Sequence, residues 1–196
     1  VLDAGHDVPR GSLPVDHRNP IVLCNDGARD NWQGEYAALL AGTTGPPLAG
    51  IIVRREGNWP DLAENLRGWQ QLAAAARAAG LGGIPDPTPS DSPALIRPSD
   101  GDIDSTIPNG STGARLLVEL ADRLALPYRP LVAVTGGSLT DVADAYLLDR
   151  TLPDRVVVVS SLGAVAAEGG EMGVPNGELD AWADRIVAER FRYVQV

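Results

Sequence analysis

Short, uninterrupted apolar runs alternate with longer amphipathic stretches along this chain. The apolar runs predict strands at residues 21–24, 49–53, 131–135 and 156–160, and a last apolar alternation predicts one at 191–196. The stretches between them predict helices at residues 32–41, 62–79, 113–124, 140–148 and 178–191. Strands without polar alternation are typical of a parallel sheet covered on both faces. The pattern therefore predicts an α/β fold, an open, mostly parallel, Rossmann-like sheet with helices on both faces.

Two segments interrupt this alternation. Residues 1–20 are polar and contain three prolines, which predicts an extended N-terminal arm before a single α/β domain over residues 21–196. Residues 80–111 are rich in Gly, Pro, Ser and Asp, and a connection of that length is either a functional lid or a disordered insertion. Because its composition offers little apolar area to bury, we expect a flexible flap over the site.

The composition excludes several classes of function. Twenty-six acidic residues against sixteen basic ones give a net charge of -10, which disfavours nucleic acid and membrane partners but suits a divalent cation. All the basic residues are Arg, so a Lys Schiff base and a P-loop Lys are excluded. Cys24 is the only cysteine, which excludes disulfides within the chain and Cys-based zinc sites.

Polar or glycine-rich loops follow four of the predicted strands. They occupy residues 25–31, 54–58, 135–138 and 160–163. The carboxyl ends of parallel strands meet at one edge of a sheet, and open α/β sheets bind their ligands beyond that edge. We therefore predict the functional site at this edge.

The loop after the first strand carries the densest set of oxygen donors. Asp26 and Asp30 are four residues apart, with Asn25 and Asn31 beside them. Carboxylate and amide oxygens suit a hard cation such as Ca²⁺. Asp30 or Asn31 could instead cap the helix that begins at Trp32. Four donors within seven residues at a ligand-binding edge favour the metal.

Four motifs follow the predicted strands in order. They are Asp-Gly-Ala-Arg-Asp-Asn at residues 26–31, Gly-Asn at 57–58, Thr-Gly-Gly-Ser-Leu-Thr-Asp at 135–141 and Glu-Leu-Asp at 178–180, followed by Asp184. They resemble the Asp-Pro-Gly-x-Asp-Asp, Gly-Asn, Thr-Gly-Pro-Leu-Thr-Asn and Glu-Phe-Asn motifs of the inosine-uridine preferring nucleoside hydrolases. The resemblance extends over residues 20–196.

The resemblance implies a Ca²⁺ site and a hydrolase of N-ribosyl bonds. It implies that the ion is held by Asp26, Asp30, Asn31 and the backbone carbonyl of Thr135. Asp30 would also be the catalytic residue that takes a proton from the attacking water. The physical logic is that a dication orients water and sugar while carboxylates stabilise an oxocarbenium-like centre.

The resemblance also implies the ligand and its contacts. Asn58, Glu178 and Asp180 would hydrogen-bond the hydroxyls of a nucleoside or other ribosyl ligand. A cytoplasmic location follows from the same resemblance, while an exported mature protein and a homo-oligomer stay open.

The chain departs from the family at several site positions. Asn31 replaces the second Asp of the pair, Cys24 an earlier Asp of the strand, and Asp180 an Asn. The family's last calcium Asp and its His-Asp element near the leaving group have no counterpart up to Val196. We expect an N-glycosyl hydrolase if these elements are supplied and poor hydrolysis by residues 1–196 alone. The alternative is a non-catalytic member that binds a nucleoside or sugar, or an interaction domain.

Three further features have separate interpretations. Trp69 lies in an Ala-rich helix and is predicted to pack in the core, whereas Trp59 is a candidate to stack on a base at the ligand edge. Arg54 and Arg55 are interpreted as a solvated pair. The glycine patterns of a dinucleotide-binding loop and of a serine-hydrolase elbow are absent.

Overall fold

Six parallel strands form one sheet in the computed structural model, which describes residues 15–26, 32–57, 59–126, 128–161 and 179–196, without the side chains of residues 32 and 33. The strands are β1 (Ile21–Asn25), β2 (Leu48–Arg54), β3 (Pro87–Ser90), β4 (Leu131–Thr135), β5 (Val156–Ser160) and β6 (Arg192–Gln195). The α-helices of the described residues are α1 (Trp32–Thr44), α2 (Leu62–Ala78), α3 (Thr112–Leu124), α4 (Thr140–Leu148) and α5 (Ala181–Arg190). None of these helices is long and apolar enough to cross a membrane.

The strand order is β3-β2-β1-β4-β5-β6, and all neighbouring strands are parallel. The chain moves outward from β1 to β3 on one side and from β4 to β6 on the other. β1 and β4 are therefore neighbours whose connections leave in opposite directions, which opens a crevice at their carboxyl ends. The predicted α/β fold with an open parallel sheet is confirmed.

Helices cover both faces of the sheet and enclose two apolar cores. Ile51 and Val53 of β2 point to the face covered by α1 and α2, where Trp69 packs. Ile52 points to the opposite face, where α3, α4 and α5 pack. Neighbouring strand residues are thus buried on opposite sides, which explains why the strands lack polar alternation.

Side-chain caps fix the first turns of three helices. Asp61 accepts a hydrogen bond from the backbone N–H of Glu64 at the start of α2, and Ser111 caps α3 in the same way. Asp180 caps α5 by accepting from the N–H of Ala183 at 3.0 Å. The last predicted helix therefore begins at Ala181 in the structure, because the capping residue itself is not helical.

The structure contains one strand that the sequence pattern does not predict. β3 lies within residues 80–111, in a stretch where Pro87 and Pro89 argue against a strand. It pairs with β2 alone and forms an edge of the sheet, where missing backbone donors are tolerated. Leu95 and Ile103 of the same segment are buried in a core. The flexibility of this segment stays a prediction.

The N-terminal arm is described only at its end. Residues 1–14 lie outside the described residues, so the prediction of an extended arm over residues 1–20 cannot be followed there. Asn19 is buried, and its side chain donates to the carbonyl oxygen of Pro130 at 2.7 Å. This contact ties the residues before β1 to those before β4.

Candidate functional site

A cavity lies in the crevice between the carboxyl ends of β1 and β4. Its volume is about 210 Å³. Its polar lining comes from Asn25 at the end of β1, Glu35 on α1, Thr135 at the end of β4 and Ser161 after β5. These residues are far apart in the sequence, and the strand order brings them together at the predicted edge.

Asp26 follows β1 directly and is half-buried. Its backbone N–H donates to the side-chain oxygen of Asn25 at 2.9 Å. Its carbonyl oxygen accepts from the indole N–H of Trp69 at 3.1 Å. The backbone of the first predicted metal ligand is thus held at both of its polar groups.

Thr135 ends β4 and is paired with Cys24 of β1. Its carbonyl oxygen accepts hydrogen bonds from the backbone N–H of Ser161 at 3.1 Å and from the Ser161 hydroxyl at 3.4 Å. Its own hydroxyl is buried and has no hydrogen-bond partner within the described part of the chain. A buried hydroxyl without a partner is destabilising unless a ligand or water satisfies it. Thr135 therefore carries a buried hydroxyl without a partner within the described residues and a carbonyl bonded to Ser161.

Glu35 is a cavity residue that the sequence interpretation missed. It lies in the first turn of α1, its exposed fraction is 4%, and Asn25 Nδ2 lies 3.5 Å from Glu35 Oε1. A buried carboxylate beside a candidate cation site adds negative charge where a cation would bind. Its sequence signal is that it is the only charged residue of α1.

Several predicted site residues fall outside the described residues. They are Asp30, Asn31, Asn58 and Glu178. Of the predicted metal ligands, the structure places Asp26 and Thr135 at the ends of adjacent strands. Within the described ranges, no group of three or more His, Cys, Asp or Glu residues is arranged to hold a metal ion.

Asp180 is buried among hydrogen-bond donors of the protein. One carboxylate oxygen accepts from the N–H of Ala183. The other accepts from the Thr140 hydroxyl at 2.8 Å and from the backbone N–H of Leu95 at 2.9 Å. Asp180 thus fastens α5 to α4 and to the 80–111 segment, and its ribose contact stays a prediction.

Arg54 is the residue for which the interpretation as a solvated pair is wrong. Its side chain is 4% exposed and lies 2.9 Å from Glu56 Oε1 and 2.8 Å from Asp141 Oδ2. Burial disfavours its charged form, but Asp141 and Glu56 together raise the pKa of Arg54 above its usual value. Arg55 is half-exposed and pairs with Asp91, so only this second arginine is solvated.

The buried ion pair between Arg54 and Asp141 belongs to a polar network. Asp141 accepts from the hydroxyls of Ser90 at 2.8 Å and Ser111 at 2.7 Å. Glu56 accepts from the hydroxyl of Ser138 at 2.8 Å. The network joins the ends of β2 and β3 to Ser138 in the loop after β4.

A second cavity, of about 230 Å³, lies between the end of β2 and the start of α4. Gly57 and Leu179 both line it, and a Cβ added to Gly57 would lie 3.2 Å from Leu179 Cδ2. These two residues flank, in sequence, the predicted ribose-binding residues Asn58, Glu178 and Asp180. The fold therefore brings the two predicted substrate segments together. Trp59 is half-buried beside them.

The thiol of Cys24 and the carboxyl group of Asp184 each have a pKa above the usual value. Burial, together with the charge of Asp141, raises the pKa of the Cys24 thiol far above its usual range, so Cys24 supplies no charge where the family has an Asp. Burial, and then the nearby charge of Asp180, raises the pKa of Asp184 to about 7.

The fold is similar to several solved structures, although no family model and no curated protein matches the sequence. An inosine-uridine preferring nucleoside hydrolase from Bacillus anthracis has a TM-score of 0.60 at 15% identity over 88% of this chain and 62% of its own. A purine-preferring ribonucleoside hydrolase from Gardnerella vaginalis has a TM-score of 0.54 at 19% identity over 85% of this chain and 57% of its own.

A third similar structure is the type III effector protein XopQ in complex with adenosine diphosphate ribose. Its TM-score is 0.58 at 16% identity, over 88% of this chain and 54% of its own. This chain thus spans between 54% and 62% of the length of the three proteins. Structural similarity at identities this low shows the fold alone: this chain has a nucleoside hydrolase-like fold.

Proposed function

We propose that this domain binds Ca²⁺ and a ribosyl ligand at the carboxyl edge of its sheet and hydrolyses the N-ribosyl bond of a nucleoside. The observation that carries the proposal is the cavity between β1 and β4. Its polar lining comes from Asn25, Glu35, Thr135 and Ser161, which carry oxygen atoms. Oxygen donors at this position fit a hard cation.

Asp26, Asp30, Asn31 and the Thr135 carbonyl are the residues proposed to hold the ion. The bound ion would supply positive charge that orients a water molecule and the sugar hydroxyls. Asp30 is proposed to take the proton of that water as it attacks the anomeric carbon. The carbon–nitrogen bond would break with its electron pair leaving on the base, the base would take up a proton from solvent, and Asp30 would return its proton to solvent.

Asn58, Glu178 and Asp180 are the residues proposed to bind the sugar. The shared cavity of Gly57 and Leu179 supports this pairing of segments, because these two residues are sequence neighbours of the proposed sugar-binding residues. The fold is similar to that of a nucleoside hydrolase and to that of a protein solved in complex with adenosine diphosphate ribose. Both similarities support a ribosyl ligand.

Binding without hydrolysis is the second candidate function. Asn31 and the neutral thiol of Cys24 stand where the family has carboxylates, so two negative charges are missing from the motif. No residue in this sequence matches the family's downstream leaving-group element. General-acid assistance is commonly worth about 10²–10⁴-fold in rate. Without it, residues 1–196 by themselves would keep ligand binding and lose most turnover.

Ribose release from inosine, uridine and other nucleosides, with calorimetric binding of the same compounds, tests both candidates. We expect slow release by residues 1–196 that disappears in Asp30→Asn, and faster release if a partner or a longer chain supplies the leaving-group element. Binding without any release would support the non-catalytic alternative. Release that survives Asp30→Asn would remove Asp30 from its proposed role, and absence of both binding and release would reject the proposal.

A further inference from the structure

Trp69 is a core residue that also contacts Asp26, the residue that follows β1. It lies in α2, is 1% exposed, and packs in the core beside Ile51 and Val53. Its indole N–H nevertheless points out of this core and donates to the carbonyl oxygen of Asp26, 43 residues earlier in the chain. Core packing, which the sequence predicts, accounts for the ring but not for the direction of its N–H.

The bond from Trp69 reaches a backbone position just beyond the end of β1. β1 ends at Asn25, so Asp26 lies beyond the last strand residue. The N–H of Asp26 is held by the Asn25 side chain and its carbonyl by Trp69, so its peptide groups have a fixed orientation on either side of the Cα atom. The carboxylate of Asp26 can then vary only through its own side-chain torsions. A ligand held in this way binds a metal with less ordering cost.

We infer that Trp69 is a positioning residue for Asp26 in cation binding, and this inference rests on the calcium site of the proposed function. Trp69 acts through the backbone of a ligand rather than on the ion itself. Loss of such outer contacts typically lowers metal affinity about 10–100-fold. We expect Trp69→Phe, which keeps an aromatic ring and removes the N–H donor, to weaken calcium binding by about tenfold or more.

Trp182 provides a matched control. It is also buried, at 6% exposure, and its indole N–H donates to the Thr106 hydroxyl at 3.0 Å in a different part of the molecule, on α5. Trp182→Phe removes the same chemical group and one hydrogen bond. Titration calorimetry with CaCl₂ and calcium-free melting temperatures would be measured for the wild type and both variants. Reduced affinity in Trp69→Phe alone supports the inference, and equal affinities in all three proteins overturn it.

A second measurement uses the wild-type protein and does not depend on the folding of a variant. Four tryptophans give four indole N–H signals in a ¹⁵N-labelled sample. As calcium is added, the Trp69 signal should shift, and the Kd fitted to this shift should equal the Kd from calorimetry. The Trp182 signal should not shift. A Trp69 signal that does not move while calcium saturates the protein overturns the inference alone. A wild type that binds no calcium in the calorimeter rejects the calcium site itself.

Discussion

Nη1 of Arg54 lies 2.8 Å from Oδ2 of Asp141, and both side chains are at least 96% buried at the functional edge of the sheet. The pair joins the end of β2 to the first turn of α4. Removing one partner of a buried ion pair leaves an uncompensated charge and destabilises a protein by about 3–5 kcal/mol.

Arg54→Met should therefore lower the free energy of unfolding by about 3–5 kcal/mol, because it removes the buried cation that pairs with Asp141 and Glu56. Arg55→Met is the matched control, since Arg55 is half-exposed and its pair with Asp91 is worth about 1 kcal/mol or less. Urea denaturation of both variants measures the difference. Equal midpoints for the two variants would show that the buried pair contributes no more than a surface pair.

Glu35→Gln should reduce the stabilisation that calcium gives to the folded protein. A ligand that binds only the folded state raises the unfolding free energy by mass action, by about 2.7 kcal/mol at one hundred times its Kd. Removing a buried negative charge from the cavity lining should weaken that binding about tenfold. Thermal unfolding with calcium and with chelator measures the shift.

The control for this prediction is Glu119→Gln, which removes the same charge from a surface position on α3. Its calcium-dependent shift in melting temperature should equal that of the wild type. An undiminished shift in Glu35→Gln would mean that the Glu35 charge is compensated within the protein and does not serve the ion.

Asp184 should make the folded protein less stable as the pH rises. Its pKa is raised from 3.8 to about 7 by burial and by Asp180, so between these values the folded state binds more protons than the unfolded state. The stabilisation is complete below the unfolded pKa and is lost as the pH rises through about 7. Asp184→Asn should therefore raise the melting temperature at pH 8 and have little effect below pH 4.

Melting temperatures of Asp184→Asn measured at several pH values test this sign. Asp154→Asn, at an exposed position, serves as the control and should follow the wild-type profile. A variant that destabilises the protein at pH 8 would show that the ionised Asp184 has a stabilising partner.

Limited proteolysis should locate the flexible part of the 80–111 segment. Ser90 and Ser111 are held by Asp141, and Leu95 by Asp180, whereas Ile96 and Ile107 are 83% and 82% exposed. Among the described residues, we expect subtilisin to cut first between residues 96 and 109. The products would be identified by mass spectrometry. Early cleavage elsewhere in those residues, with this stretch intact, would indicate a rigid insertion.

The sequence by itself determined five of the six strands and the helices between them. Apolar runs such as residues 131–135 and 156–160 become strands with the predicted bounds, because a strand buried on both faces needs a continuous apolar sequence. The loops after these strands are predicted from the polar and glycine residues that follow each apolar run. Asp26 and Thr135 could therefore be placed at one edge from the sequence, since parallel strands bring their carboxyl ends together.

Only the tertiary structure decided the contacts that cross between elements. β3 forms because an edge position beside β2 tolerates two prolines, which no local pattern indicates. Arg54 is buried because Asp141, 87 positions later, compensates its charge, and Glu35 becomes a cavity residue only when β1 and β4 are neighbours. The bond from Trp69 to Asp26 likewise depends on how α2 packs on the sheet. Such pairings are set by distance in space, whereas a sequence pattern reports only neighbours along the chain.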